Sequence, residues 1–266
     1  MKIIVDAFGG DNAPQEIIKG ARLAADELGY DIILVGDEEK IKGQAVKNNI
    51  SMENMKIVHA PDVISMEDTP TDILKSKNNS SIAVGLRLLS QGEGDAFVSA
   101  GNSGALCVGA TLIVKRIKGV KRCAFAPVIP KSNGFFMLID SGANAECRPE
   151  MLQQFGIMGS IYMKNVMTVA NPRVGLVNVG TESTKGDELR FEAFNLLKDS
   201  NINFIGNIEA REIPADCADV VVTDGFTGNV ILKFYEGMAK EMFNKFKNIF
   251  IKDFKNKFNK SFDDCV

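Results

Sequence analysis

Apolar and polar positions fall in blocks along this chain. The runs KIIVDA (2–7), DIILVGD (31–37), KIVHA (56–60), DAFVSA (95–100), CAFAPVIP (123–130), GFFMLIDSG (134–142), RVGLVNVG (173–180), NFIGNI (203–208) and DVVVTDG (219–225) read as strands. Between them lie longer segments of helical character: QEIIKGARLAADELG (15–29), SSIAVGLRLLSQGEG (80–94), LCVGATLIVKRI (106–117), MLQQFGIMGSIYMKNV (151–166), DELRFEAFNLLKDS (187–200) and VILKFYEGMAKEMF (230–243). Continuous Val/Ile/Phe runs mark strands covered on both faces, whereas a half-exposed strand would alternate. Strands alternating with helices then predict an α/β fold with a mostly parallel sheet between helices. The GDEEK after the second run reads as a short acidic loop. No repeat, linker or sharp composition break occurs before about residue 240, so residues 1–239 read as one α/β domain and 240–266 as a separate Lys/Phe-rich helical segment.

In open α/β sheets ligands sit beyond the carboxyl ends of the strands. The segments there are VDAFGGDNAP, SAGNSGA, IDSGANAECRPE, NVGTESTKGDE and VTDGFTGNV, each rich in Gly, Asn, Asp, Ser or Thr. Glycine lets a ligand approach the backbone, amides and hydroxyls give directional hydrogen bonds, and a following helix N-terminus favours anions. One such loop is an ordinary turn; five on one predicted edge point to a polar binding site.

Composition narrows the chemistry. The 266 residues are 45% hydrophobic and 24% charged with a net charge of -3, which suits a globular protein and speaks against nucleic acid as a partner. The N-terminal MKIIVDAFGG turns acidic and glycine-rich too soon for a signal peptide, and no uncharged apolar run is long enough to span a bilayer. Five cysteines without CxxC spacing favour reduced thiols in a cytosolic protein over a disulfide framework or a zinc site. The single histidine, His59, follows a strand and precedes every serine turn. It reads as a structural or locally hydrogen-bonding residue, which leaves a Ser-His-Asp mechanism and the GNSGA serine elbow without a base. Neither G-x-G-x-x-G after the first strand nor G-x-x-x-x-G-K-[ST] is present, so no nucleotide cofactor is called for, and no metal.

The five loops, in this order, together with HAPDVISMEDTPTDILKSKNNSS, resemble the PlsX family of acyl-ACP:phosphate acyltransferases from residue 1 to about 240. The family's DHAP stands here as Asp11-Asn12-Ala13-Pro14, and its DVGAN as Asp140-Ser141-Gly142-Ala143-Asn144. The resemblance implies a three-layer α/β/α sandwich like that of isocitrate and isopropylmalate dehydrogenases, a homodimer, and no metal or nucleotide cofactor. It implies a reaction that joins inorganic phosphate to the acyl group of acyl carrier protein (acyl-ACP), releasing acyl phosphate. It implies a cytoplasmic protein associated peripherally with the inner face of the cell membrane, beside the membrane-bound acyl-phosphate:glycerol-3-phosphate acyltransferase PlsY. Members of the family continue for several tens of residues past KSFDDCV with Gly-rich and HGSS-like stretches, so the α/β domain is expected to be shortened here.

Phosphate is itself an oxygen nucleophile, so the protein need only hold an anion and stabilise the oxyanion that forms at a thioester carbonyl. Lys185 in TKGDE, matching the family's KG-E motif, is the candidate cation, and Asn229 in GFTGN, beside Gly228, the candidate neutral donor; a helix cap is the bland reading of Asn229. The turn Gly101-Asn102-Ser103-Gly104 is expected to cradle phosphate or the acyl carbonyl at a helix N-terminus. Asn144 is a further candidate, as is Asp224, the latter expected to orient a donor, whereas Asp6, Gly9, Gly10 and Asp11 are expected to shape the site. Two rival readings are a phosphotransacetylase using CoA thioesters and a non-catalytic surface-binding protein. Residues 240–260 carry seven lysines against Glu241 and Asp253, with Phe243, Phe246, Phe250, Phe254 and Phe258 at helical spacing. That pattern predicts a cationic helix on an anionic bilayer, or one packed on the core or a second copy.

Overall fold

The computed structural model describes the backbone of residues 1–263 and the side chains of residues 1–249. The chain divides into two compact units, residues 1–123 and 124 onward.

In the first unit β1 (Lys2–Asp6), β2 (Asp31–Gly36), β3 (Met55–His59) and β4 (Ala96–Val98) form an all-parallel sheet in the order β3-β2-β1-β4. Successive residues of β2 serve opposite layers, as the unbroken apolar run requires. Ile32 and Leu34 pack with Ile18, Ala21 and Ile41 from α1 (Gln15–Leu28) and α2 (Glu38–Lys47). Ile33 and Val35 join Ile4 of β1 and Val84 and Leu88 of α3 (Ser81–Ser90) on the other face. Helix α2 replaces the acidic loop expected after β2. Its apolar signal is thin, because only Ile41 and Ala45 turn inward. Asp37 nevertheless caps it by accepting from Lys40 N at 3.1 Å, and Glu38 and Glu39 complement the dipole of its first turn. His59 accepts a hydrogen bond from Glu38 N at 3.3 Å, the local structural role expected of it. The helix expected at 106–117 begins earlier, as α4 (Ser103–Gly109), loosens into one π turn over Ala110–Val114 and stops at Lys115, whose φ is +75°.

The second unit holds β5 (Val128–Pro130), β6 (Phe135–Ile139), β7 (Arg173–Asn178), β8 (Asn203–Glu209) and β9 (Val220–Val222) in the order β5-β6-β9-β7-β8. Only β5, shorter than the run that announced it, is antiparallel. Val220 and Val222 pack with Met137 and Ile139 of β6 and with Leu152 and Phe155 of α5 (Pro149–Asn165) and Leu197 of α6 (Glu188–Lys198). Val221 faces the other way, with Phe136, Leu138, Ile213 and the first turns of α7 (Gly225–Asp263). Each unit is thus a parallel or, in the second, mostly parallel sheet with helical layers on both faces, the α/β class the pattern predicted. Burying each such aliphatic side chain is worth roughly 1.5–3 kcal/mol. At the amino-terminal end of this sheet the buried Lys131 ammonium lies 2.8 Å from Asp219 and pairs with Asp216, while Arg173 bridges the same two carboxylates. Among the described residues no helix is long and apolar enough to cross a membrane.

Candidate functional site

In the first unit the chain leaves β1 for β2 and β3 on one side and returns as β4 on the other, so the β1 and β4 ends form a topological switch point. Asp6 ends β1 almost fully buried, accepting from Phe8 N at 3.1 Å and from Ser99 Oγ at 2.7 Å. Ser99 Oγ in turn accepts from Gly101 N at 3.1 Å. Gly9 lies between these groups: a β-carbon there would stand 2.6 Å from Asp6 Oδ2 and 2.7 Å from Gly101 N. Asp6 and Gly9 therefore hold the 99–104 turn against the end of β1, while Gly10 (φ +101°) and Asp11 lie on the exposed side of the loop. Within the turn, Asn102 is the cap of α4. Its Oδ1 accepts from Ala105 N at 2.9 Å and its Nδ2 donates to Ser65 O at 3.0 Å. Gly104 is pressed against Pro70, and Ser103 is exposed.

In the second unit three loops converge at the carboxyl ends of β6, β9 and β7. The fully buried Asp140 ends β6 and organises the first. Its carboxylate accepts from the backbone N–H groups of Phe125, Gly142, Ala143 and Asn144 and from the Asn144 amide at 2.7–3.2 Å. Asn144 is thereby tied into the loop, and its carbonyl accepts from Gly225 N at 2.8 Å. The first turn of α7 packs directly on this loop. A β-carbon on Gly228 would lie 1.9 Å from Asp140 O, and one on Gly225 would lie 2.5 Å from Asn144 O, so only glycine permits the approach.

Asp224 takes the capping role that was the bland reading of Asn229. It accepts from Thr227 N at 2.8 Å and from Thr227 Oγ1 at 2.9 Å. The Arg190 guanidinium, from the first turn of α6, bonds Asp224, Asp187 and Thr227 together. No motif announced Arg190, because its partner lies 34 residues away. Asn229 falls one residue beyond Gly228, inside α7 and exposed, with its side chain against Gly142. Asn178, Gly186, Asp187, Arg190 and Thr227 line a cleft of about 580 Å³.

Lys185 sits on a turn held from below by two asparagines. Asn178 of β7 donates to Lys185 O at 2.9 Å, and Asn207 of β8 donates to Glu182 O at 2.8 Å. Gly186 has a φ of +94° and would drive a β-carbon to 2.5 Å from Asn178 Oδ1. Among the described residues the Lys185 ammonium forms no ion pair and the Asn229 amide no hydrogen bond. The Asp6, Asp140, Asp187 and Asp224 carboxylates are internally satisfied, whereas this cation and this amide are exposed and uncommitted. The Cys147 thiol, in the Asp140 loop, is pushed up to about 11 by burial, with Asp140 and Asp224 adding to the shift. At neutral pH it is a protonated thiol and a poor nucleophile.

A family model described as fatty acid synthesis protein matches residues 1–261. A phosphate acyltransferase of Acetivibrio thermocellus is 50% identical over 258 residues, which cover 97% of this chain and 76% of the relative. One from Alkaliphilus oremlandii is 48% identical over 253 residues, with 95% and 76% covered. Among solved structures, a phosphotransacetylase from Streptococcus pyogenes shares the fold, with a TM-score of 0.68 at 15% identity over 90% of this chain and 82% of its own.

Proposed function

The chain belongs to the fatty acid synthesis protein family, the PlsX phosphate acyltransferases, and on that premise we propose that it transfers an acyl group from acyl-ACP to inorganic phosphate. A phosphate oxygen attacks the thioester carbonyl carbon directly. The new C–O bond forms, the C–S bond breaks, and the carrier leaves as a thiolate that takes up a proton. Lys185 pairs with phosphate and offsets its charge as it attacks. The Asn229 amide donates to the oxyanion that develops on the carbonyl, a contact typically worth about 10²–10³ in rate. Asp140, Asn144, Asp224, Gly228 and Arg190 keep the loop and the first turn of α7 in register, so that the donor needs no reorganisation during the reaction.

One observation carries this reading: Asp140, Asp187 and Asp224 are satisfied within the site loops, while the Lys185 ammonium and the Asn229 amide are free for a ligand. The raised pKa of the Cys147 thiol argues against that side chain as the nucleophile. Rapid quenching of a reaction with acyl-ACP and phosphate tests it, with hydroxylamine to trap acyl phosphate and mass spectrometry of the protein. Acyl phosphate without a protein-bound acyl group is expected; an acyl group trapped on Cys or Ser would overturn direct attack.

The proposal extends to a homodimer, a cytoplasmic location and peripheral binding to the cell membrane, where PlsY consumes the acyl phosphate. Support comes from α7, whose Phe226, Val230, Phe234, Met238, Met242 and Phe246 form an exposed apolar stripe four residues apart. Lysines 240, 245 and 247 flank its end. The Phe250, Phe254 and Phe258 side chains lie outside the described residues.

A further inference from the structure

The turn that carries Lys185 has no anchor of its own. Every residue from Thr181 to Glu188 is exposed, and among the described residues no side chain of 181–186 makes a hydrogen bond or an ion pair. Glu182 O accepts from Lys185 N at 3.1 Å, which closes a β-turn over 182–185. Two hydrogen bonds tie that turn to the sheet. Asn207 Nδ2 donates to Glu182 O at its first residue, at 2.8 Å, and Asn178 Nδ2 donates to Lys185 O at its last, at 2.9 Å.

Strand register brings the two asparagines together. Asn207 of β8 pairs with Leu176 of β7, two residues before Asn178, so both side chains leave the same face of the sheet. Both are more than nine-tenths buried, at 6% and 7% exposed. The Asn178 Oδ1 accepts from Val179 N at 2.8 Å, but the buried Asn207 Oδ1 has no hydrogen-bond partner among the described residues. Turning the Asn207 amide over would gain nothing, because it would set Oδ1 against Glu182 O. A buried acceptor left unmet destabilises a fold, and an apolar side chain of similar shape would avoid that penalty. What asparagine adds at this position is its one donor, and that donor acts on the turn that holds Lys185.

We propose that Asn207 is a positioning residue for the reaction, which together with Asn178 fixes the 182–185 turn and so holds the Lys185 ammonium where it meets phosphate. The inference rests on the proposed role of Lys185. Asn207 touches no reacting group and acts through the backbone of the turn. Function and stability therefore part at this residue. Losing the donor releases the turn, whereas losing the unmet acceptor relieves the fold. Glu182 O is not orphaned by the loss, since it is exposed and keeps the Lys185 N–H.

Asn207→Leu tests this, because leucine keeps the branched shape and removes both polar atoms. In acyl-phosphate formation, kcat/KM for inorganic phosphate is expected to fall at least about tenfold, since a displacement of about 1 Å in a positioned group costs roughly 10²-fold. The thermal midpoint should stay within about 3 °C of the parent's or rise. In a Lys185→Ala background the same substitution should lower the rate by less than about twofold more. A parental kcat/KM, or an equal loss with and without Lys185, would overturn the proposal. Hydrogen exchange read by mass spectrometry needs no turnover. Exchange at least about fivefold faster in the 179–186 segment, with β7 and β8 unchanged, supports the hold on the turn even if Lys185→Ala itself proves active. Unchanged exchange there refutes the inference even if the chemistry holds. Should leucine impair folding, Asn207→Ala removes the same donor and is read by the same coupling to Lys185.

Discussion

Gly228→Ala perturbs the account at its narrowest point. The new β-carbon would stand 1.9 Å from Asp140 O and 2.9 Å from Thr223 Cγ2. A close carbon–oxygen contact needs about 3.3 Å, so the first turn of α7 and the Asp140 loop must separate by on the order of 1.4 Å. Overpacking of this kind costs about 1–3 kcal/mol in stability, reduced by the gain in helix propensity from Gly to Ala. The kinetic effect should be larger, because Asn229 is the next residue and a displacement of about 1 Å in a positioned group costs roughly 10²-fold in rate. Gly237→Ala is the control within the same helix. Nothing lies within 4 Å of a β-carbon there, so it should raise stability by up to about 1 kcal/mol and leave turnover unchanged. Acyl-phosphate formation and urea unfolding, measured on both variants, check the pair. Parental kcat in a Gly228→Ala protein of parental stability would refute the idea that this contact positions the site.

The charge cluster at the opposite end of the sheet should govern acid stability. Burial raises the Asp219 carboxyl, but hydrogen bonds from Arg173 and Lys131 outweigh it and hold the group well below the usual carboxylate range. A folded value below the unfolded one of about 3.9 gives stability that is complete above that pH and lost as pH falls through the folded value. Unfolding monitored by circular dichroism below about pH 4 should therefore be shallower for Asp219→Asn, which should already be less stable at pH 7 by about 3 kcal/mol because Lys131 stays buried with fewer partners. For the membrane proposal, co-sedimentation with anionic vesicles is expected, weakened by salt and by Phe246→Glu; equal recovery with neutral and anionic vesicles would contradict it.

Much of the fold was legible because strand runs covered on both faces are a strong signal: Ile32-Ile33-Leu34-Val35 serves two cores by simple alternation. Helix α2 was not legible, since two inward residues in ten leave almost no periodicity and its evidence lay in the Asp37 cap. The loops at the strand ends were readable one by one, as was the presence of Lys185 and Asn229 in them. What binds them together was hidden. Asp140 looked like part of a motif, but its five donors arise from how the loop folds back over it. Arg190 stands in no motif, although it ties α6 to the cap of α7. The division near residue 123 falls just after the basic run Lys115–Arg122, whose first residues read as the end of the 106–117 helix and so did not stand out as a boundary.

The central claim is that an uncommitted lysine and an uncommitted amide do the work, with phosphate as the nucleophile. Its most direct measurement is the rate of acyl-phosphate formation from acyl-ACP by Lys185→Ala and Asn229→Ala proteins, each shown by thermal unfolding to keep the parental fold, with Cys147→Ala and His59→Gln alongside. Losses of at least about tenfold, and up to about 10³-fold, are expected for the first two and mild changes for the second pair. A correctly folded Lys185→Ala protein that works at the parental rate would contradict the account.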